Sequence, residues 1–127
     1  MGGLIAVVLG CILGGAARYF ISGAVARSVG ETFPWGTLII NVSGALLIGI
    51  LGGLAREPTS ILARPDVWLL AVTGFLGCYT TVSSFSLQTL TLANNGQMPR
   101  ALGYIMLSVA LSLGAAAAGF ALADLMK

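Results

Sequence analysis

The most constraining feature of this chain is a polar segment at the centre of a long uncharged stretch. Positions 67–99 form 33 consecutive residues without a charged side chain, where about 20 apolar residues suffice to cross a membrane. The segment reads Gly74-Phe-Leu-Gly-Cys-Tyr-Thr-Thr-Val-Ser-Ser-Phe-Ser86. Irregular polar backbone is tolerated at membrane depth only where it is buried in protein or lines a cavity. The sequence therefore predicts a broken helix with the functional site at its break.

The composition identifies the chain as a multi-pass membrane protein. Of its 127 residues, 57% are hydrophobic and 8% are charged, where a soluble domain carries about 25% charged residues. We expect one all-α domain over residues 1–127, located in the cell (inner or plasma) membrane. So small a domain does not readily enclose a pathway alone, so we also expect it to oligomerise. The two cysteines, Cys11 and Cys78, fall in apolar stretches, and we expect them to be reduced packing residues.

Charged residues divide the chain into four apolar spans. We predict them at Gly3–Ala26, Thr32–Ala55 with Pro34 at the helix start, Val67–Pro99 and Ala101–Ala123. With four spans, both termini and the second loop share one side of the membrane. That side carries Arg56, Arg64 and Lys127, and the other carries Arg27 and Arg100.

A difference of three basic residues against two is a weak orientation signal. It favours insertion in both orientations, and hence an antiparallel dimer. The alternative is that another feature fixes a single orientation. Glycine pairs spaced by four, Gly10/Gly14 and Gly49/Gly53, with Ala115 and Gly119 in a similar role, predict close helix packing.

The residue types exclude several function classes. The acidic residues all fall in loops or at span ends, and histidine is absent. A proton-coupled exporter normally needs a carboxylate within the membrane, which weighs against a small multidrug exporter. A hydrolytic site cannot be assembled from these residues either.

Neutral hydrogen-bond donors remain, and these suit an anion. Thr37 and Asn41 are four residues apart on one helix face, and Tyr104, Ser108 and Ser112 share another. With Ser83 and Ser84 they could form a continuous polar track. The alternative for the serines is a hydrogen bond to the carbonyl four residues earlier.

Two further side chains have both a functional and a structural interpretation. The positive ring edge of Phe85 could face an anion, or the ring could simply pack between helices. Arg18 is the only basic residue inside a span. It could reach the interface, bond exposed carbonyls, or give an anion's vestibule a positive potential.

Three motifs resemble those of the Fluc/CrcB fluoride channels, in the order and spacing of that family. They are Gly14-Gly-Ala-Ala-Arg18-Tyr19, Pro34-Trp-Gly-Thr37-Leu-Ile-Ile-Asn41 and the polar segment itself. The resemblance covers essentially the whole chain and is highly specific.

The resemblance implies a dual-topology antiparallel homodimer with two fluoride pores. It implies a central Na⁺ held by backbone carbonyls of Gly77 and Thr80 from both subunits. It also implies a pore lined by Asn41, Val82, Ser83, Ser84, Phe85, Tyr104, Ser108 and Ser112, with Arg18 and Thr37 in vestibule or structural roles.

The sequence departs from the family at two positions. The family usually reads T-T-F-S-T-F-S where this chain has Thr80-Thr-Val-Ser-Ser-Phe-Ser86, so Val82 replaces a pore phenylalanine. Ala116 stands where the family often has threonine.

From the neutral donors and the three motifs, we interpret the chain as a channel exporting fluoride passively. The alternative is a subunit of a heterodimer with a degenerate pore.

Overall fold

The computed structural model describes residues 2–126, and the regular elements in that range are all helical. Four helical stretches are long and apolar enough to cross a membrane, which makes the chain a multi-pass membrane protein. They are α1 (Gly2–Val29), α2 (Trp35–Leu54), the third span (Pro65–Asn94) and α6 (Met98–Leu125). A short 3₁₀ turn, Ile61–Ala63, precedes the third span.

The third span is broken, as the sequence predicted. It comprises α3 (Pro65–Trp68), a π-helical segment (Leu69–Leu76), α4 (Gly77–Tyr79) and α5 (Val82–Asn94). Between α4 and α5, Thr80 and Thr81 are extended, with ψ of 160° and 122°. Thr81 Oγ1 accepts the N–H of Ser84 at 3.2 Å, so a side chain caps the start of α5.

The predicted ends of the spans differ from the observed ones by up to five residues, and prolines lie at two of these ends. The second span begins at Trp35 rather than Thr32, because Pro34 is the residue that precedes the helix. The third span ends at Asn94, and Pro99 lies in the first turn of α6, where a missing N–H is tolerated. Gly96 makes the turn between them with a φ of +74°.

Glycines bring the helices together at two places, which confirms the predicted close packing. On α1, a Cβ at Gly10 would collide with the Leu70 carbonyl, and one at Gly14 with the Phe75 carbonyl. On α2, a Cβ at Gly49 would collide with the Ala116 carbonyl. Thus α1 packs against the π-helical segment and α2 against α6.

The prediction that the cysteines are reduced and unpaired is wrong. Cys11 and Cys78 form a disulfide, with their Cα atoms 5.0 Å apart. Position 11 lies one residue after Gly10, so the close approach of α1 brings the two side chains together. The pairing ties α1 to α4 beside the break.

Candidate functional site at the helix break

A cavity of about 430 Å³ opens at the break in the third span. Its walls come from α2, the π-helical segment, α4, α5 and α6. Seven of the predicted site residues line it: Asn41, Gly77, Thr80, Val82, Phe85, Ser108 and Ser112. The structure therefore brings together residues that are up to 71 positions apart in the sequence.

Asn41 is joined to the break by two reciprocal hydrogen bonds. Its Oδ1 accepts the Thr81 N–H at 2.8 Å, and its Nδ2 donates to the Thr81 carbonyl at 2.9 Å. A backbone N–H can only donate, so these contacts fix which amide atom faces which. One N–H of the Asn41 amide remains for a ligand in the cavity.

The carbonyls of Gly77 and Thr80 have lost their usual helical donors. In a continuous helix the Thr81 N–H would bond to Gly77, and the Ser84 N–H to Thr80. Here Thr81 donates to Asn41, and Ser84 donates to Thr81 Oγ1. Backbone oxygens are suitable ligands for a hard cation. The free carbonyl oxygens of Gly77 and Thr80 are therefore suitable ligands for Na⁺.

Ser108 lies at the wall of the cavity, but its hydroxyl is enclosed by protein atoms. The residue is 7% exposed, and its Oγ has no hydrogen-bond partner among the described residues. The alternative of a bond to the carbonyl four residues earlier is thus wrong for Ser108. Such bonds do form elsewhere, for example from Ser86 to Val82 and from Thr89 to Phe85. An unpartnered buried hydroxyl is unusual in a folded protein.

Tyr104 lies behind the cavity rather than on its lining. It is fully buried, and its hydroxyl donates to Gln88 Oε1 at 3.1 Å. The Phe85 ring packs against it with a centroid separation of 5.2 Å, and Phe33 meets its ring edge to face at 5.4 Å. Phe85 therefore both packs between helices and lines the cavity.

A second, more polar cavity of about 670 Å³ lies on the other side of the break. Arg18, Thr37 and Ser84 line it, together with the charged side chains of Arg27 and Glu31. Its cations and hydroxyls make it suited to receive a hydrated anion.

Two of the predicted pore residues, Ser83 and Tyr104, line neither cavity, and two residues were missed. Ser83 lines neither cavity; its hydroxyl lies 3.1 Å from that of Thr81. Val82 is 77% exposed at the mouth of the first cavity.

The residues missed are Thr81, which lines both cavities, and Gln88, the partner of Tyr104. Gln88 lies three residues after Phe85, so both are on one face of α5. This spacing is the only feature of the sequence that points to Gln88 as a residue near the site.

Comparison with known proteins adds an independent observation. Residues 5–120 match the family described as "CrcB-like protein, Camphor Resistance (CrcB)". The chain is 67% identical to fluoride-specific ion channel FluC 2 of Bradyrhizobium diazoefficiens, covering 98% of this chain and 90% of that protein. It is 55% identical to FluC 2 of Rhodopseudomonas palustris, covering 98% and 95%. It is 45% identical to FluC 3 of Brucella suis, covering 91% and 87%.

Proposed function

The chain belongs to the CrcB-like family, and from this premise we propose that it is a fluoride-selective ion channel that releases cytoplasmic fluoride down its gradient. The observation that carries the proposal is the Asn41 amide at the break, which keeps one N–H for a ligand in a cavity whose lining residues include no carboxylate. Proteins with high identity to this chain bear the name of fluoride channels. The family is a class of ion channels rather than enzymes.

The chemistry of the cavity suits a small, strongly hydrated anion. Such an ion enters a narrow site only when N–H, O–H or positive ring edges replace its water. Asn41 and Ser112 supply neutral donors, and Phe85 supplies an aromatic ring. None of the residues lining this cavity is a carboxylate that would repel the ion. The second cavity, with Arg18 and Arg27, would then serve as its vestibule.

We propose that two copies assemble antiparallel, giving two pores. The first cavity is open and is bordered by small or apolar side chains of Gly44, Ala45, Ile48 and Val72. Interfaces between membrane helices favour such small residues, because they let backbones approach. The basic residues are nearly balanced between the two sides of the membrane, which supports insertion in both orientations.

We propose that Na⁺ binds at the centre of this dimer through the carbonyls of Gly77 and Thr80 from both subunits. The loss of their helical donors supports it. When bound, the cation would supply positive potential near the anion. Among residues 2–126 there is no cluster of three His, Cys, Asp or Glu side chains to compete for it.

The direct test is fluoride efflux from liposomes that contain only this purified chain. We expect fluoride release above that of empty liposomes, and little chloride release. The exposed Val82, which supplies no ring edge at the cavity mouth, is the observation that favours the alternative of a paired subunit. Absence of flux from the pure chain, with flux restored by a second family member, would support that alternative over the homodimer.

A further inference from the structure

Besides offering a donor to an anion, the Asn41 amide changes which group accepts the Thr81 N–H. In its absence, the Thr81 N–H would have a ready acceptor in the Gly77 carbonyl four residues earlier. Asn41 Oδ1 takes this N–H instead, at 2.8 Å. The same amide holds the Thr81 carbonyl at 2.9 Å, so the pair of bonds keeps Thr81 extended.

We propose that Asn41 is a positioning residue for the cation as well as a donor to the anion. By accepting the Thr81 N–H, it leaves the Gly77 carbonyl free to bind the cation. A carbonyl that accepts an N–H would be a weaker ligand, because its lone pairs and its dipole are then shared. This inference rests on the cation site proposed above.

The geometry separates the two roles between different atoms of one side chain. Asn41 Oδ1 accepts the Thr81 N–H, and one N–H of Nδ2 donates to the Thr81 carbonyl. The other N–H of Nδ2 is left for a ligand in the cavity. An aspartate at this position keeps an acceptor for the Thr81 N–H but loses the donors. A leucine has similar volume and keeps neither.

The experiment compares wild type with N41L, N41D and S112A, each purified as the full chain. The readout is the thermal unfolding midpoint as a function of Na⁺ concentration, with N-methyl-D-glucamine as the replacement cation at constant ionic strength. Fluoride efflux is measured in parallel. S112A is the matched control, because Ser112 lines the same cavity and has no bond to the break.

We expect the Na⁺ concentration for half-maximal stabilisation to rise about tenfold or more in N41L. The contact that weakens is the one between the Gly77 carbonyl and a charged ion, and contacts to charged groups are the stronger ones. N41D should keep the response of wild type or need less Na⁺, while its fluoride flux is abolished by the added negative charge. S112A should lose flux and keep the wild-type Na⁺ response.

The outcomes distinguish this inference from the proposed function. An unchanged Na⁺ response in N41L overturns the positioning role and leaves the cation site standing. A wild-type protein that does not respond to Na⁺ overturns the cation site, and this inference with it. Should N41L fail to fold, Asn41→Ala, which also removes the acceptor, decides in its place: an unchanged Na⁺ response overturns the proposal, and a raised Na⁺ requirement supports it.

Discussion

At the scale of single residues, Ser108 lowers the stability of the fold. A buried hydroxyl without a partner costs about 1–3 kcal/mol, because its hydration is lost and not replaced. Ser108 is in this state, whereas most hydroxyl groups near it bond to protein atoms. A rotation of the side chain toward the cavity would let the hydroxyl donate to a ligand and recover that loss.

Ser108→Ala should therefore change stability and conduction in opposite directions. We expect the free energy of unfolding to rise by about 1 kcal/mol, because the unpartnered group is gone. Fluoride flux should fall, because one donor is lost. Ser86→Ala is the control: its exposed hydroxyl bonds to its own helix at Val82, so neither quantity should change. A Ser108→Ala protein with less stability and normal flux would contradict this role.

Val82→Phe should raise fluoride flux. Val82 is 77% exposed at the cavity mouth, so a larger side chain has room within the chain. The ring would add a positive edge worth about 1 kcal/mol, or about fivefold. Val82→Leu adds volume without a ring and controls for packing. An equal rise in both variants, or a fall in Val82→Phe with an intact dimer, would show that the ring is not what the pore lacks.

Residue types and spacing pointed to most of the residues at the candidate site, but not to the hydrogen bonds that join them. Asn41 and Ser108 could be identified because polar groups four residues apart share a helix face, and Phe85 because its ring edge is positive. The bonds from Asn41 to Thr81 and from Tyr104 to Gln88 span 40 and 16 positions, so local spacing could not predict them. Thr81 in particular is one of five serine and threonine residues in the polar segment, and only the fold shows that it lies between two cavities.

At the scale of elements, neighbouring glycines on α1 should differ sharply in their tolerance of a methyl group. A Cβ at Gly14 would collide with the Phe75 carbonyl, whereas one at Gly15 meets no atom within 4 Å. We expect Gly14→Ala to lower the free energy of unfolding by about 1–3 kcal/mol through overpacking. Gly15→Ala should be neutral or slightly stabilising, because alanine favours helix. Thermal unfolding in detergent measures both, and equal effects would contradict the packing of α1 against the π-helical segment.

The four spans could be predicted from hydropathy alone, whereas the form of the third span could not. The polar segment indicated a break, and the break lies at Thr80 and Thr81. The π-helical segment at Leu69–Leu76 has no sequence signal, because it depends on how α1 packs there through Gly10 and Gly14. The Cys11–Cys78 pairing follows from the same contact and was missed for the same reason.

At the scale of the whole molecule, the near balance of charge is the property that governs assembly. One side of the membrane has three basic residues in loops or at a terminus, and the other has two at helix ends, Arg27 and Arg100. Such a small bias allows a few added lysines to fix the orientation. Exposed loop positions exist on both sides: Pro58 and Thr59 on one, Thr32 and Asn95 on the other.

Lysines added to the loops on one side of the membrane, or on the other, should therefore give two variants that insert in opposite orientations. We expect Pro58→Lys with Thr59→Lys to insert in one orientation, and Thr32→Lys with Asn95→Lys in the other, read from protection of a C-terminal tag. Expressed alone, each should give no fluoride flux, because an antiparallel partner is lacking; expressed together, they should restore it. The control is the unaltered chain, whose tag should be found on both sides. A wild-type tag on one side only, or full flux from either variant alone, would sink the antiparallel homodimer, because a working pore would then need only one orientation.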